Sequence, residues 1–166
     1  LHNVNVKSKK VLICGAGGAG RSIAVAMLKA GATVFISNRT KEKVTDYIKY
    51  YKNIVSKASE SGGGCDFTAG YVVPKEYAGD IVINATSLKD DLPIDKQIIE
   101  QAKFVADINY GNETCLLVAA KSLGINNTDG KEMLFAQSYL ADALVSEKTP
   151  NFNEFARLYK NYDKNN

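Results

Sequence analysis

The sequence has little of the chemistry on which many catalytic and metal sites depend. Its single histidine, His2, lies near the beginning of the chain, and its three cysteines, Cys14, Cys65 and Cys115, are far apart without a C-x-x-C pair. A lone histidine at this position removes Ser/His/Asp triads and most histidine metal sites from consideration. An odd number of separated cysteines supports neither a disulfide framework nor a zinc site, so we expect reduced cysteines and no bound metal.

Long hydrophobic runs are also missing. No stretch approaches the roughly 18 to 20 apolar residues that a membrane span needs. The first ten residues, Leu1–Lys10, lack the long apolar centre of a signal peptide. We therefore expect a cytoplasmic protein that makes no contact with a membrane.

The overall composition is that of one globular domain. Only 3 of the 166 residues are proline, 45% are hydrophobic and 23% are charged, which excludes a disordered, collagen-like or coiled-coil chain. The 21 Lys and Arg residues exceed the 18 Asp and Glu residues by three and are spread along the chain. This balance gives little reason to expect nucleic acid binding, and it is compatible with small anionic ligands.

Short apolar segments alternate with longer helical ones, which is the pattern of β-α-β units around a parallel sheet. We predict a Rossmann-type, doubly wound α/β domain whose mostly parallel sheet carries helices on both faces. The predicted strands are Lys10–Cys14, Thr33–Ser37, Asp80–Asn84, Phe104–Ile108 and Ile125–Thr128. One further strand is expected in the weaker region between Asn53 and Gly79, at Ile54–Ser56 or at Gly70–Val73.

The predicted helices fill the intervals between these strands. The first follows Gly20, is expected to turn Ile23, Met27 and Ala30 towards the core, and stops at Gly31. The others are predicted at Lys41–Lys52, Pro93–Gln101, Thr114–Ser122, Lys131–Ser146 and Asn153–Asn161.

A glycine-rich loop lies between the first strand and the first helix. Its G-x-G-x-x-G spacing provides a tight turn, a close approach of the backbone to a pyrophosphate, and close packing of helix on strand. Free N–H groups and the positive end of the helix dipole then favour a phosphate. We predict nucleotide contacts from Gly15, Gly17, Gly18, Ala19 and Gly20.

The second strand ends in a basic segment where an NAD-binding domain usually carries an acidic residue for the ribose 2′-hydroxyl. Here Asn38, Arg39 and Thr40 follow the strand, and Lys43 comes one helical turn later. A carboxylate would repel a 2′-phosphate, whereas an arginine binds it through charge-assisted hydrogen bonds. We therefore predict NADP as the cofactor. Asn38 and Thr40 could equally cap the following helix, which is compatible with phosphate binding.

Polar residues also follow the strand at Asp80–Asn84. Asn84, Ala85, Thr86 and Ser87 lie at the carboxyl end of a central strand, where ligands bind in open α/β sheets. The other interpretation of this segment is a simple strand-to-helix turn.

Together these segments resemble the NADP-binding domain of the shikimate dehydrogenase family. The glycine loop is similar to the family's GAGGA, Asn38–Thr40 to its N-R-T, and Asp80–Ser87 to its D-x-x-I-N-A-T-S. The segment Asp107–Tyr110, followed by Thr114, is similar to D-x-x-Y-x-P-x-x-T, with Asn112 in place of the proline and the threonine one position earlier than in that pattern. Finally, Asp129–Gln137 resembles D-G-x-x-M-L-x-x-Q. Leu88 and Lys89 also depart from the family, because a glycine is common after its N-A-T-S segment.

This resemblance implies an enzyme that uses NADPH to reduce 3-dehydroshikimate to shikimate, in the biosynthesis of chorismate and the aromatic amino acids. It adds Asp107, Gly130 and Met133 to the expected cofactor contacts, and Tyr110 and Gln137 as contacts to a shikimate-like hydroxy acid. The catalytic lysine and aspartate of the family belong to an amino-terminal substrate domain. We expect that domain to be absent from these 166 residues and supplied in cis or in trans, which leaves no catalytic residue here.

On this view the whole chain is one NADP-binding domain, with residues 1–9 as a lead-in and residues 162–166 as a flexible tail. Two alternatives stay open. The first is the nucleotide domain of a glutamyl-tRNA reductase-like enzyme, which also pairs a glycine loop with N-R-T but has no reason to keep the motif at Asp129–Gln137. The second is a non-catalytic NADP-binding module that regulates a partner.

Overall fold

The computed structural model describes residues 2, 4–40, 42, 45, 69–70 and 79–164. Within them, six parallel strands form one sheet. The strands are β1 (Lys10–Cys14), β2 (Thr33–Ser37), β3 (Ala69–Gly70), β4 (Ile81–Asn84), β5 (Phe104–Asp107) and β6 (Asn126–Thr128). The helices are α1 (Gly18–Lys29), α2 (Lys96–Ile99), α3 (Cys115–Ser122), α4 (Lys131–Val145) and α5 (Phe152–Lys164).

The strand order is β3-β2-β1-β4-β5-β6, so the chain first winds outward from β1 on one side and then returns to continue on the other. This is the doubly wound order of a Rossmann fold, and it confirms the predicted fold class. The order places a crevice where β1 and β4 meet, at the carboxyl ends of the strands.

Both faces of the sheet are covered, as a parallel sheet requires. Alternate residues of each strand point to opposite faces, so the strands supply two separate cores. One core joins β1 and β2 to helix α1 through Val11, Ile13, Val34, Ala24 and Leu28. The other joins β1, β4 and β5 to helices α2 and α3 through Leu12, Val82, Val105, Ile99 and Leu116.

Helix α1 presents a slightly different face from the one predicted. Its buried residues are Gly20, Ala24 and Leu28, which repeat every four residues. Ile23 and Met27 flank this row and pack against the core, whereas Ala30 is exposed. The prediction for Ala30 was wrong because Ala30 caps the helix end, and Gly31 with a φ of +84° turns the chain away.

Helix α2 is shorter than the predicted Pro93–Gln101. It begins after Asp95, whose carboxylate accepts a hydrogen bond from the Gln97 N–H at 3.0 Å and so caps the helix. The preceding Leu92 and Ile94 pack against the core from a loop. The apolar residues before Asp95 are therefore buried, but they are not part of a helix.

Helix α5 is longer than the predicted Asn153–Asn161. It begins at Phe152 and continues to Lys164, so residues 162–164 are helical. The flexibility of the tail from residue 162 stays a prediction. Aromatic contacts explain the extension. The ring centroid of Phe135 on α4 lies 5.5 Å from the ring centroid of Tyr159 and 5.3 Å from that of Tyr162.

The region between β2 and β4 is described at only a few positions. Of the predicted helix Lys41–Lys52, Glu42 and Thr45 are described and both are helical. The predicted strand Ile54–Ser56 lies outside the described residues, and β3 at Ala69–Gly70 overlaps the predicted Gly70–Val73 by one residue. The other predicted strands agree with the observed ones to within one residue at each end. Among the described helices, none is long and apolar enough to cross a membrane.

Core packing around β1 yields a stability prediction. Leu12 is fully buried, so Leu12→Ala is expected to lower the free energy of unfolding by about 2–5 kcal/mol through lost burial and a residual cavity. Urea denaturation followed by circular dichroism measures this change. The control, Leu144→Ala, removes a side chain that is 81% exposed and should change the free energy of unfolding by less than about 0.5 kcal/mol. Equal effects of the two variants would contradict the assignment of this core.

Candidate functional site

The candidate site lies at the carboxyl edge of the sheet. Ser37, Cys14, Asn84 and Asp107 end four neighbouring strands and stand in register across the sheet. The loops that follow these strands therefore meet at one edge. The glycine loop, Asn38–Thr40, Ala85–Ser87 and Tyr110 are all on these loops.

The glycine loop connects β1 to α1 through two close approaches of the backbone. Gly15 has a φ of +108°, and a Cβ added there would lie 2.8 Å from the Ala85 carbonyl oxygen. A Cβ on Gly20 would lie 2.0 Å from the Gly15 carbonyl oxygen. Only glycine fits at these two positions, so both residues shape the loop.

The middle of the loop has the opposite character. A Cβ added to Gly17 or Gly18 would meet no atom within 4 Å, and the neighbouring Ala19 is exposed. These residues begin α1, whose first turn contains no acidic residue and no side-chain cap. The first N–H groups of a helix have no partner within the helix, so this open backbone is suited to a phosphate.

Two side chains hold the loop by Ala16. The Ala16 N–H donates to Asn38 Oδ1 at 3.1 Å, and the Ala16 carbonyl accepts from Arg21 Nε at 2.9 Å. Asn38 also donates from Nδ2 to the Thr40 carbonyl at 2.8 Å. The predicted contact residue Asn38 therefore links the glycine loop to the segment after β2.

Arg21 was not predicted from the sequence. A signal was present, because a cation in the first turn of a helix is disfavoured by the helix dipole unless another interaction retains it. Arg39 is exposed directly after β2, and Thr40 beside it is half-buried. Lys43, the third residue predicted to bind a 2′-phosphate, lies outside the described residues.

A buried polar network fills the ends of β4 and β5. Asn84 is fully buried, and its Oδ1 accepts from the Thr86 N–H at 3.0 Å and the Thr86 hydroxyl at 2.7 Å. Its Nδ2 donates to Asp107 Oδ2 at 3.0 Å and to the Leu88 carbonyl at 3.2 Å. Each polar atom of the Asn84 side chain is thus engaged within the protein.

Asp107 is the acceptor at the centre of this network and is only 1% exposed. Besides Asn84, it accepts from the Thr114 hydroxyl at 2.8 Å, which also caps α3. Its Oδ1 accepts from the Asn109 N–H at 2.9 Å and from Asn109 Nδ2 at 2.7 Å. Direct contact of Asn84 or Asp107 with a cofactor stays a prediction, while their side chains visibly anchor the surrounding loops.

A cleft of about 430 Å³ opens above this network. Its lining comes from the loops after β4 and β5 and consists of Ala85, Thr86, Ser87, Lys89, Ile108, Asn109 and Tyr110. Tyr110 is 54% exposed at its rim. Asn109 was not singled out from the sequence, because it occupies an unspecified position of its motif, and Lys89 was noted only as a departure from the family pattern.

The start of α4 packs against the same loops. The Gly130 N–H donates to the Asn109 carbonyl at 2.9 Å, and a Cβ on Gly130 would lie 2.0 Å from the Ile108 carbonyl oxygen. The glycine is therefore required for close approach, and it brings the helix beside the cleft. Met133 is half-buried, and Gln137, four residues later on the same side of α4, is exposed.

Cys14 lies in this edge of the sheet without being reactive. Burial, together with the negative charge of Asp107, raises the pKa of the Cys14 thiol to about 12. The thiol is therefore protonated at neutral pH and is a poor nucleophile.

Comparison with known proteins identifies the relatives of this chain. A family model described as "Shikimate / quinate 5-dehydrogenase" matches residues 1–62. The shikimate dehydrogenase (NADP(+)) of Methanothrix thermoacetophila is 36% identical over 145 residues, which are 84% of this chain and 49% of that protein. The enzyme of the same name from Aquifex aeolicus is 37% identical over 136 residues, covering 80% and 45%. The chain spans about half the length of the curated relatives that it matches.

Solved structures show the same relationship. The crystal structure of shikimate dehydrogenase from Aquifex aeolicus matches with a TM-score of 0.72 and 29% identity, over 92% of this chain and 54% of that one. Shikimate 5-dehydrogenase from Thermus thermophilus, solved in complex with NADP(H) and shikimate, matches with a TM-score of 0.66 and 27% identity. That match covers 93% of this chain and 56% of the Thermus chain.

The glycine loop leads to a prediction about stability. Gly20→Ala is expected to lower the free energy of unfolding by about 1–3 kcal/mol, because the new methyl group would collide with the Gly15 carbonyl. Gly18→Ala is the matched control, since its methyl group enters open space and stability should not fall. Urea denaturation of both variants measures the difference. A Gly20→Ala variant as stable as the wild type would contradict the close packing of α1 on the loop.

Proposed function

The chain belongs to the shikimate dehydrogenase family, and we propose that it is the NADP-binding half of such an oxidoreductase. In the proposed reaction, NADPH reduces the ketone of 3-dehydroshikimate, or of a similar compound, to the hydroxy acid. The activity and substrate are proposals because the chain corresponds to about half of each curated relative.

The observation that carries the proposal is the exposed Arg39 at the end of β2. An acidic residue at this position would bind the ribose of NAD, whereas Arg39 offers charge-assisted hydrogen bonds to a 2′-phosphate. Asn38 supports the assignment, because its hydrogen bonds to Ala16 and Thr40 join this segment to the glycine loop. Thr40 and Lys43 are proposed to contact the same phosphate.

The open backbone at the start of α1 fits the pyrophosphate of the cofactor. Gly17, Gly18 and Ala19 would hold it through N–H groups, since Cβ atoms at the two glycines would occupy the free space. Gly15 and Gly20 contribute by keeping the turn tight. The proposed site therefore spans the crevice between β1 and β4.

The cleft beside β4 and β5 is proposed to receive the nicotinamide end, with Ala85, Thr86 and Ser87 on one wall. Bound NADPH supplies the hydride for the ketone. Gly130 and Met133 on α4 would close the side of this site, and Tyr110 and Gln137 would contact the substrate. The cleft residues would orient the reacting groups and exclude water.

Proton transfer is proposed to come from a substrate domain supplied in cis or in trans, in keeping with the resemblance. The named relatives favour this function over that of a glutamyl-tRNA reductase. A cytoplasmic location stays part of the proposal.

Cofactor preference tests the role of Arg39. We expect the chain to bind NADPH at least about tenfold more tightly than NADH, because a charge-assisted contact contributes roughly 1.5–3 kcal/mol. Arg39→Ala should remove most of this preference in calorimetric titrations. The control Arg157→Ala replaces another exposed arginine, on α5, and should leave the preference unchanged. Equal affinities of the wild type for both cofactors would contradict the assignment.

Turnover measurements test whether this chain binds the cofactor while a separate substrate domain supplies proton transfer. The chain alone is expected to bind NADPH but to show essentially no shikimate-dependent reduction of NADP, because general acid–base assistance alone contributes about 10²- to 10⁴-fold. Fusion to a substrate domain of the family should restore activity. Absorbance at the NADPH band follows both reactions. Robust turnover by the chain alone would reveal a catalytic group in it, and failure of the fusion would favour a non-catalytic NADP-binding module.

A further inference from the structure

The two walls of the cleft are held by one network of hydrogen bonds. Thr86 belongs to the loop after β4 and Asn109 to the loop after β5, and both line the cleft. They are joined directly, because Asn109 Nδ2 donates to the Thr86 carbonyl at 2.9 Å. Below them, Thr86 is held by Asn84 and Asn109 is held by Asp107. The bond between Asn84 and Asp107 therefore connects the supports of both walls.

Each hydrogen bond of Asn84 and Asp107 requires a donor on one side and an acceptor on the other. Asp107 accepts four hydrogen bonds, from Asn84, Thr114 and twice from Asn109, and none of the ion pairs formed by the described residues includes it. A carboxylate can accept all four, whereas an amide has donors on one of its two atoms. Asn84 in turn needs an oxygen towards Thr86 and a nitrogen towards Asp107.

Asn84 and Asp107 lie below the part of the site where one end of a dinucleotide would bind. The glycine loop and Arg39 lie on the β1–β2 side of the crevice, and the cleft lies on the β4–β5 side. A dinucleotide lies across such a crevice. With the 2′-phosphate at Arg39, the nicotinamide end falls on the side of the cleft.

We propose that Asn84 and Asp107 are positioning residues that hold the two cleft walls in the shape that receives the nicotinamide ring. The inference rests on the proposed function. The pair acts through Thr86 and Asn109 and has no need to touch the cofactor itself. Its loss should therefore weaken the binding of the nicotinamide end and leave the binding of the adenosine end unchanged.

The test compares two probes on the full 166-residue chain. NADPH reports on the whole site, and adenosine 2′,5′-bisphosphate reports only on the glycine loop and Arg39 because it lacks nicotinamide. Asp107→Asn should weaken NADPH binding at least about tenfold, since its amide places a donor against the donors of Asn84 and Thr114. Affinity for adenosine 2′,5′-bisphosphate should stay within about twofold, because a defect confined to the cleft does not reach the phosphate sites.

An exchange of the two side chains provides the rescue. In the double variant Asn84→Asp with Asp107→Asn, the amide at position 107 donates to the carboxylate at position 84. The oxygen at position 107 still accepts from Asn109, and the carboxylate still accepts from Thr86. NADPH affinity should exceed that of Asp107→Asn, because the contact between the two side chains and the supports of both walls are re-formed. It should stay below that of the wild type, because the Leu88 carbonyl loses the donor that Asn84 Nδ2 supplies.

Thr114→Val supplies the control for stability. It removes a donor to Asp107 and the cap of α3 without touching either cleft wall. The variant should unfold at lower urea concentration yet keep the wild-type ratio of the two affinities. Circular dichroism identifies any variant that does not fold, and the exchange variant restores the donor–acceptor pairing between positions 84 and 107 that Asp107→Asn lacks.

The outcomes separate this inference from the proposed function. A wild-type chain that binds neither probe would overturn the proposed function and the inference with it. With wild-type binding intact, equal weakening of both probes by Asp107→Asn, or no weakening, would overturn the positioning role alone. A folded exchange variant without recovery of NADPH binding would do the same.

Discussion

The parallel pairing of β1 with both β2 and β4 is the constraint on which the site depends. Because β1 is central and all its neighbours run in the same direction, the ends of four strands meet at one edge of the sheet. Residues as distant in sequence as Gly15, Asn38 and Asp107 are thereby brought to one crevice. The reversal of the winding direction at β1 also leaves room for a ligand between the two halves of the sheet.

The need to satisfy buried polar groups explains how this edge is organised. A buried amide or carboxylate without partners is costly, so Asn84 and Asp107 are stable only when the surrounding loops supply the missing donors and acceptors. The loops in turn acquire a defined shape. Asn38 follows the same logic at the glycine loop, where one side chain satisfies two backbone groups. Residues of the binding motifs therefore serve the architecture as well as any ligand.

The reliability of the sequence-based predictions varied with the physical origin of each signal. Strands β1, β2, β4 and β5 were predicted to within a residue because a short run of apolar residues between turns is typical of a strand in a parallel sheet. Helix α2 was overestimated because Leu92 and Ile94 are buried from a loop, which periodicity does not distinguish from a helix. Helix α5 was underestimated because its last turns depend on rings of α4 that are distant in sequence.

The sequence by itself determined the order of strands and helices, the glycine turn and the basic end of β2, because each rests on local backbone chemistry or on a short apolar pattern. It also identified Asn84 and Asp107 as residues of interest. Only the tertiary structure decided that their side chains face inward and join two loops, and that Asn109 donates to the Thr86 carbonyl. Hydrogen bonds between residues separated by 23 positions depend on strand register and packing, and no local pattern specifies these.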